Sequence, residues 1–131
     1  MENNESINYF GPHLMVDGYK GNQEKLGDMR LVFKVLNELP GLIDMHKISA
    51  PYVFIYDGGQ KPEDWGVTGS VIIAESHICI HTFPNKGFVS FDVYSCKTFN
   101  KEVAIKYFKD TFELQELEIN FVQRGKQFAK T

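Results

Sequence analysis

Two of the four histidines and both cysteines fall within one stretch, GVTGSVIIAESHICIHTFPNKGFVSFDVYSC, residues 66–96. These are the side chains best suited to proton transfer and nucleophilic attack near neutral pH. His77, Cys79 and His81 alternate, so on a strand they share one face, as part of a metal site would. A zinc site needs a fourth ligand, and neither His13 nor His46 is evidently placed to give it, so no metal is expected. A Cys–His hydrolase pair would need a carboxylate to orient the imidazole, and the only one near His81 is Asp92.

Hairpin arithmetic sorts these residues into two pairs. The segments 67–73, 77–83 and 88–94 are dense in β-branched and aromatic residues and read as a meander, with PNKG at 84–87 as the second turn. If Asn85 and Lys86 are the central turn residues, Ser76 falls opposite Ser95, beside Cys96. If Ala74 and Glu75 form the other turn, Thr68 falls opposite His81. Ser76 and His81 lie roughly 16 Å apart along an extended strand, at ~3.3 Å per residue. One chain therefore cannot bring both pairs to one atom, whereas a two-fold dimer can set one pair against the other.

The rest of the chain supplies what must position them. Residues 11–20 read as a first strand. From 22 to 39, Leu26, Met29, Val32, Phe33, Leu36 and Leu39 recur at helical spacing, with Pro40 and Gly41 closing the helix. Residues 46–56 suggest a strand that Pro51 confines to an edge or bulge, and 57–66 a loop. A second helix is expected over 101–112 with Val103, Ala104, Tyr107 and Phe108 inward, then a closing strand in 113–125. Segregated strands and helices predict an α+β two-layer sandwich: an antiparallel sheet with two helices on one face, in one domain over residues 1–131. The other face is left open, and a partly apolar open face predicts a homodimer.

Composition narrows the function class. With 14 basic and 17 acidic residues in no long run, the formal net charge is −3, which argues against nucleic-acid binding. No stretch reaches the roughly 20 apolar residues of a membrane span, and the polar start lacks the pattern of a signal peptide, so a cytoplasmic protein is expected.

Residues 66–96 resemble the signature of the prokaryotic S-adenosylmethionine decarboxylase proenzymes. The shared pattern runs glycine–x–hydroxyl–glycine, an apolar strand, Glu-Ser-His, a further strand, His-Thr-aromatic-Pro, and Asp-x-x-x-Cys; the Gly-Pro-His-Leu opening extends it more weakly over nearly the whole chain. The resemblance implies a pyruvoyl-dependent decarboxylase that cuts itself between Glu75 and Ser76, giving a β chain of residues 1–75 and an α chain of residues 76–131. It implies Ser76 as the residue converted to the covalent pyruvoyl cofactor, which binds the substrate amine as a Schiff base. His81 would be the processing acid/base, Thr68 its hydroxyl helper and Cys96 the catalytic proton donor. The expected substrate is a small amino-acid-type molecule, S-adenosylmethionine first, whose decarboxylated product serves spermidine synthesis.

The match departs where the family carries an acid after the proline, associated with the substrate ribose: here that position is Asn85. The adenine-stacking aromatic is not clearly matched either, with Trp65, Phe54 or Tyr56 as the stand-ins. Both departures touch the substrate more than the pyruvoyl machinery. They keep open a decarboxylase of arginine or ornithine, and, in a different class, a non-enzymatic dimeric homologue.

Overall fold

A computed structural model describes residues 9–128. Strand β1 (Gly11–Tyr19) is followed by two helices, α1 (Gln23–Leu26) and α2 (Met29–Leu42), where one continuous helix is expected. Gly27 caps the first, and Asp28 starts the second by accepting the N–H groups of Arg30 and Leu31 at 3.0 and 3.2 Å. The break shifts the phase of the buried stripe. Leu26, Val32, Leu36 and Leu39 are fully buried and Val35 joins them, but Met29 and Phe33 stay about two-fifths exposed, at 41% and 42%. Pro40 does not end α2. Its missing N–H costs one bond near the helix end, and its carbonyl accepts the N–H of Met45 at 2.8 Å.

The predicted strand over 46–56 is two pieces, β2 (His46–Lys47) and β3 (Tyr52–Tyr56), both paired to β4 (Gly66–Ala74). Pro51 falls between them, where no ladder donor is needed. The meander continues through β5 (Ser76–Phe83) and β6 (Phe88–Ser95), then α3 (Lys101–Phe112) and β7 (Glu116–Arg124). The sheet order is β2-β4-β5-β6-β1-β7 with β3 also on β4, and every pairing is antiparallel.

Both longer helices cover one face. Val67, Val71, Ile73, Ile78, Ile80, Phe91 and Val93 alternate along the central strands and pack under α2 and α3, with Phe91 stacked on Phe108 at 3.8 Å between ring centroids. Val103 is exposed at the rim of α3, while Ala104, Phe108 and Phe112 form its buried stripe. The opposite face carries no element of the described chain. No helix among the described residues is long and apolar enough to cross a membrane.

Candidate functional site

Both hairpin registers match those read from the turns. Ser76 pairs with Ile73 on one side and Ser95 on the other, and Thr68 pairs with His81. The second turn is a short 3-10 segment, Pro84–Lys86, closed by Gly87 at φ 61°, rather than a two-residue turn. The register survives because the loop stays symmetric about Asn85 and Lys86.

Glu75 lies exposed at the β4–β5 turn, and its carbonyl accepts the backbone N–H of Cys96 at 2.9 Å. The turn is thus held against the end of β6, which a fully buried Ser95 pins from behind. The Ser95 hydroxyl accepts the N–H of Lys97 at 3.1 Å and donates to the Met45 sulfur at 3.5 Å. Chemically, the Glu75–Ser76 peptide has a hydroxyl on its nitrogen side and an N–H polarising its carbonyl, the arrangement that favours attack on that carbon.

The second pair lies at the other end of β5. Two glycines bracket Thr68 because neither place has room for a side chain: a Cβ on Gly66 would meet the Thr82 carbonyl oxygen at 1.8 Å, and one on Gly69 would meet Leu36 of α2 at 2.8 Å. Thr68 Oγ1 and His81 Nδ1 are 3.3 Å apart. If Nδ1–H is the donor, Nε2 of this exposed imidazole carries the lone pair a base needs. Phe54 faces Thr68 from β3, and Tyr56 faces Gly66. Asn85 donates to the Glu63 carbonyl at 3.4 Å and Lys86 pairs with Asp64 at 2.8 Å, so the 84–87 turn is tied to the preceding loop. Trp65 is not in this group: its ring tip rests against Gly27 in the helical layer. Ser76 and His81 lie at opposite ends of β5, roughly 16 Å apart at ~3.3 Å per residue, so one protomer keeps the two pairs separate.

Asp92 is not a partner of His81. From β6 its Oδ2 accepts His77 Nε2 at 2.9 Å and His13 Nε2 at 2.8 Å, reaching across to β5 on one side and β1 on the other. Arg124 of β7 donates to His13 Nδ1 at 3.2 Å and lies 4.1 Å over the Tyr94 ring. Burial would raise the Asp92 pKa, but the hydrogen bonds from the two histidines outweigh it and hold the carboxyl below its usual range. The stability this shift contributes is present above the ordinary aspartate value and is lost as pH falls through the lowered one. Burial, with Asp92 nearby, pushes the Cys79 thiol up to about 11, leaving it protonated and a poor nucleophile at neutral pH.

His77, Cys79 and His81 do not converge as ligands. Among the described residues the one group of three with ligating atoms within 4.8 Å is His13, His77 and Asp92. There both Nε2 atoms point their protons at the carboxylate, and the Arg124 cation adjoins the outer nitrogen of His13. That His77 shares a face with Cys79 and His81 was readable from the sequence; that Asp92 serves His77 rather than His81 was not. The part taken by His13 and Arg124 was not, because it depends on β1 lying between β6 and β7.

Residues 12–125 match the sequence profile of the family described as S-adenosylmethionine decarboxylase. A proenzyme of that name from Clostridium botulinum strain Langeland is 28% identical over 121 residues, covering 92% of this chain and 98% of the relative. One from Thermococcus kodakarensis is 33% identical over 120 residues, covering 91% and 79%. The crystal structure of the adenosylmethionine decarboxylase from Aquifex aeolicus superposes with a TM-score of 0.77 at 26% identity, covering 90% of this chain and 92% of that one.

Proposed function

Because the chain belongs to the S-adenosylmethionine decarboxylase family of carboxy-lyases, we propose that it is a proenzyme that cuts itself between Glu75 and Ser76 and then decarboxylates S-adenosylmethionine. The observation that carries this is the bond from the Cys96 N–H to the Glu75 carbonyl at 2.9 Å. It holds the carbonyl of the residue to be cut against the backbone N–H of Cys96 at the end of β6.

In the processing step the Ser76 hydroxyl attacks the Glu75 carbonyl carbon. The C–N bond breaks as the C–O bond forms, and the proton passes to nitrogen, so an ester replaces the amide. Removal of the Ser76 Cα proton expels Glu75 as a carboxylate and leaves a dehydroalanine. Addition of water to its imine tautomer and loss of ammonia leave a pyruvoyl group on the nitrogen of His77. The residues present fit that group: a small half-buried side chain at 76, paired with Ser95, and the backbone N–H of the next residue, Cys96, on the adjoining carbonyl. The pyruvoyl keto group would supply the electron sink for loss of carbon dioxide from an amine-bearing substrate. Cys96 would hold the proton that replaces the lost carboxyl group.

The proton transfers of processing fall to an imidazole. His81 is out of reach within the protomer, so His81 and Thr68 of the partner subunit are assigned to it, across a homodimer. The open sheet face supports this assembly: Tyr52, Phe54, Tyr56 and Ile72 share it, with exposures from 41% to 64%. Synthesis of spermidine in the cytoplasm is the role such a product implies.

Substrate recognition rests on the 84–87 turn and on Phe54 and Tyr56. An amide at 85 accepts a hydroxyl less strongly than a carboxylate does, and this observation favours a basic amino acid, arginine or ornithine, as the second reading. Asn85→Glu is therefore expected to raise kcat/KM for S-adenosylmethionine by up to about tenfold. A loss, with arginine or ornithine the better substrate, would assign the pocket to the amino acid.

The test of the whole reading is an intact-mass spectrum of the purified protein followed by carbon dioxide release from the three candidate substrates. The expected result is two fragments, residues 1–75 and a shorter one beginning in pyruvoyl. One uncut, inert chain would favour a non-enzymatic homologue.

A further inference from the structure

The cut itself creates a positioning problem. Until then residue 76 is held by a continuous hairpin. Afterwards it is a chain end, and so is its former neighbour Glu75 at the end of β4. Chain ends fray unless something ties them down. The pyruvoyl group would ride on the nitrogen of His77, so any fraying of β5 moves the reacting atoms directly.

His77 is also where a tie is available. Among the described contacts it is the first residue after the cut with a side-chain hydrogen bond, 2.9 Å to Asp92 on the neighbouring strand. Asp92 does not stand alone: its acceptor oxygen is shared with His13 at 2.8 Å, and His13 is backed by Arg124 at 3.2 Å. The Tyr94 ring fills the space between, with centroids 5.0 Å from His13 and 5.8 Å from His77. The chain of contacts runs β5–β6–β1–β7, away from β4, so no link in it is severed by the cut. His13 would belong to the 75-residue product, whereas His77, Asp92 and Arg124 would belong to the other.

We propose that Asp92 and His77 are positioning residues: Asp92 grips His77 to hold the new amino terminus in register after cleavage, and through His13 it fastens that terminus to the other fragment. This rests on the self-cleavage reading above. An atom displaced by ~1 Å can cost on the order of 10²-fold in rate. The role is thus one of turnover after cutting, separate from any contribution to folding.

The two histidines grip the same oxygen at nearly the same distance, which supplies the control. If the network only stabilises the sheet, losing either should have the same effect. If it anchors the terminus, His77→Ala should lower kcat per cut chain by about tenfold or more with KM nearly unchanged, and His13→Ala should cost clearly less. His77→Gln keeps an N–H donor and should recover part of the loss. A second measurement does not depend on activity. Asp92→Asn should speed amide hydrogen exchange at the start of β5 by about tenfold in the cut protein, and far less when combined with Ser76→Ala, where the hairpin stays whole. Equal losses of kcat for the two histidines, or equal exchange effects in cut and uncut chains, would overturn the proposal. A wild-type chain that never cuts would instead remove the self-cleavage reading, and the anchor with it.

Discussion

Ser76→Ala is expected to give a folded, full-length and wholly inactive protein. The substitution removes one hydroxyl from a half-buried position at the start of β5, opposite a buried Ser95, and adds nothing that must be accommodated. The cost to stability should stay within about 1 kcal/mol. The cost to activity is of another kind, because without the hydroxyl there is no ester, no elimination and no pyruvoyl group. The measurements are intact mass, which should show one species, thermal unfolding, and carbon dioxide release. Decarboxylation by the uncut variant would mean that the cofactor does not come from Ser76.

Cys96→Ala separates the two uses proposed for the same residue. Its backbone N–H, which donates to the Glu75 carbonyl, survives the substitution, so cutting should proceed. Its thiol does not survive. Protonation of the carbon that has lost carbon dioxide should then slow by about 10² to 10⁴-fold, the range for loss of a positioned acid. Intact mass and single-turnover product formation on the same sample test both halves. A variant that fails to cut would assign the thiol to processing; one that turns over normally would remove it from catalysis.

Much of the local arrangement was legible because it depends on counting. A two-residue turn at Ala74–Glu75 and a loop centred on Asn85–Lys86 fix which residues face each other along three strands. Ser76 therefore meets Ser95, and Thr68 meets His81, without reference to the remainder of the chain. The helical stripe of residues 101–112 was legible for a similar reason, apart from Val103 at its rim.

The departures came where local signals compete. Gly27 and Asp28 act as a stop and a start within a periodic apolar pattern, so a single helix was expected where α1 and α2 form, and Met29 and Phe33 lost their place in the core. Pro40 reads as a terminator, yet it is tolerated near the end of α2 because only one donor is missing there. Trp65 is indistinguishable by type from Phe54 and Tyr56 as a stacking aromatic. Its position in the helical layer follows from contact with Gly27, a residue 38 positions earlier in the chain.

The sequence by itself determined the family, the two-layer class, the hairpin registers and the types of side chain at the junction, since each of these is set by motif, period or short-range count. Only the tertiary structure decided the sheet order that puts β1 between β6 and β7, and with it the union of His13, His77, Asp92 and Arg124 on the open face. The physical reason is that strand order is chosen by which apolar faces pack under which helices. That is a global minimisation over the whole core, and no spacing within one segment encodes it.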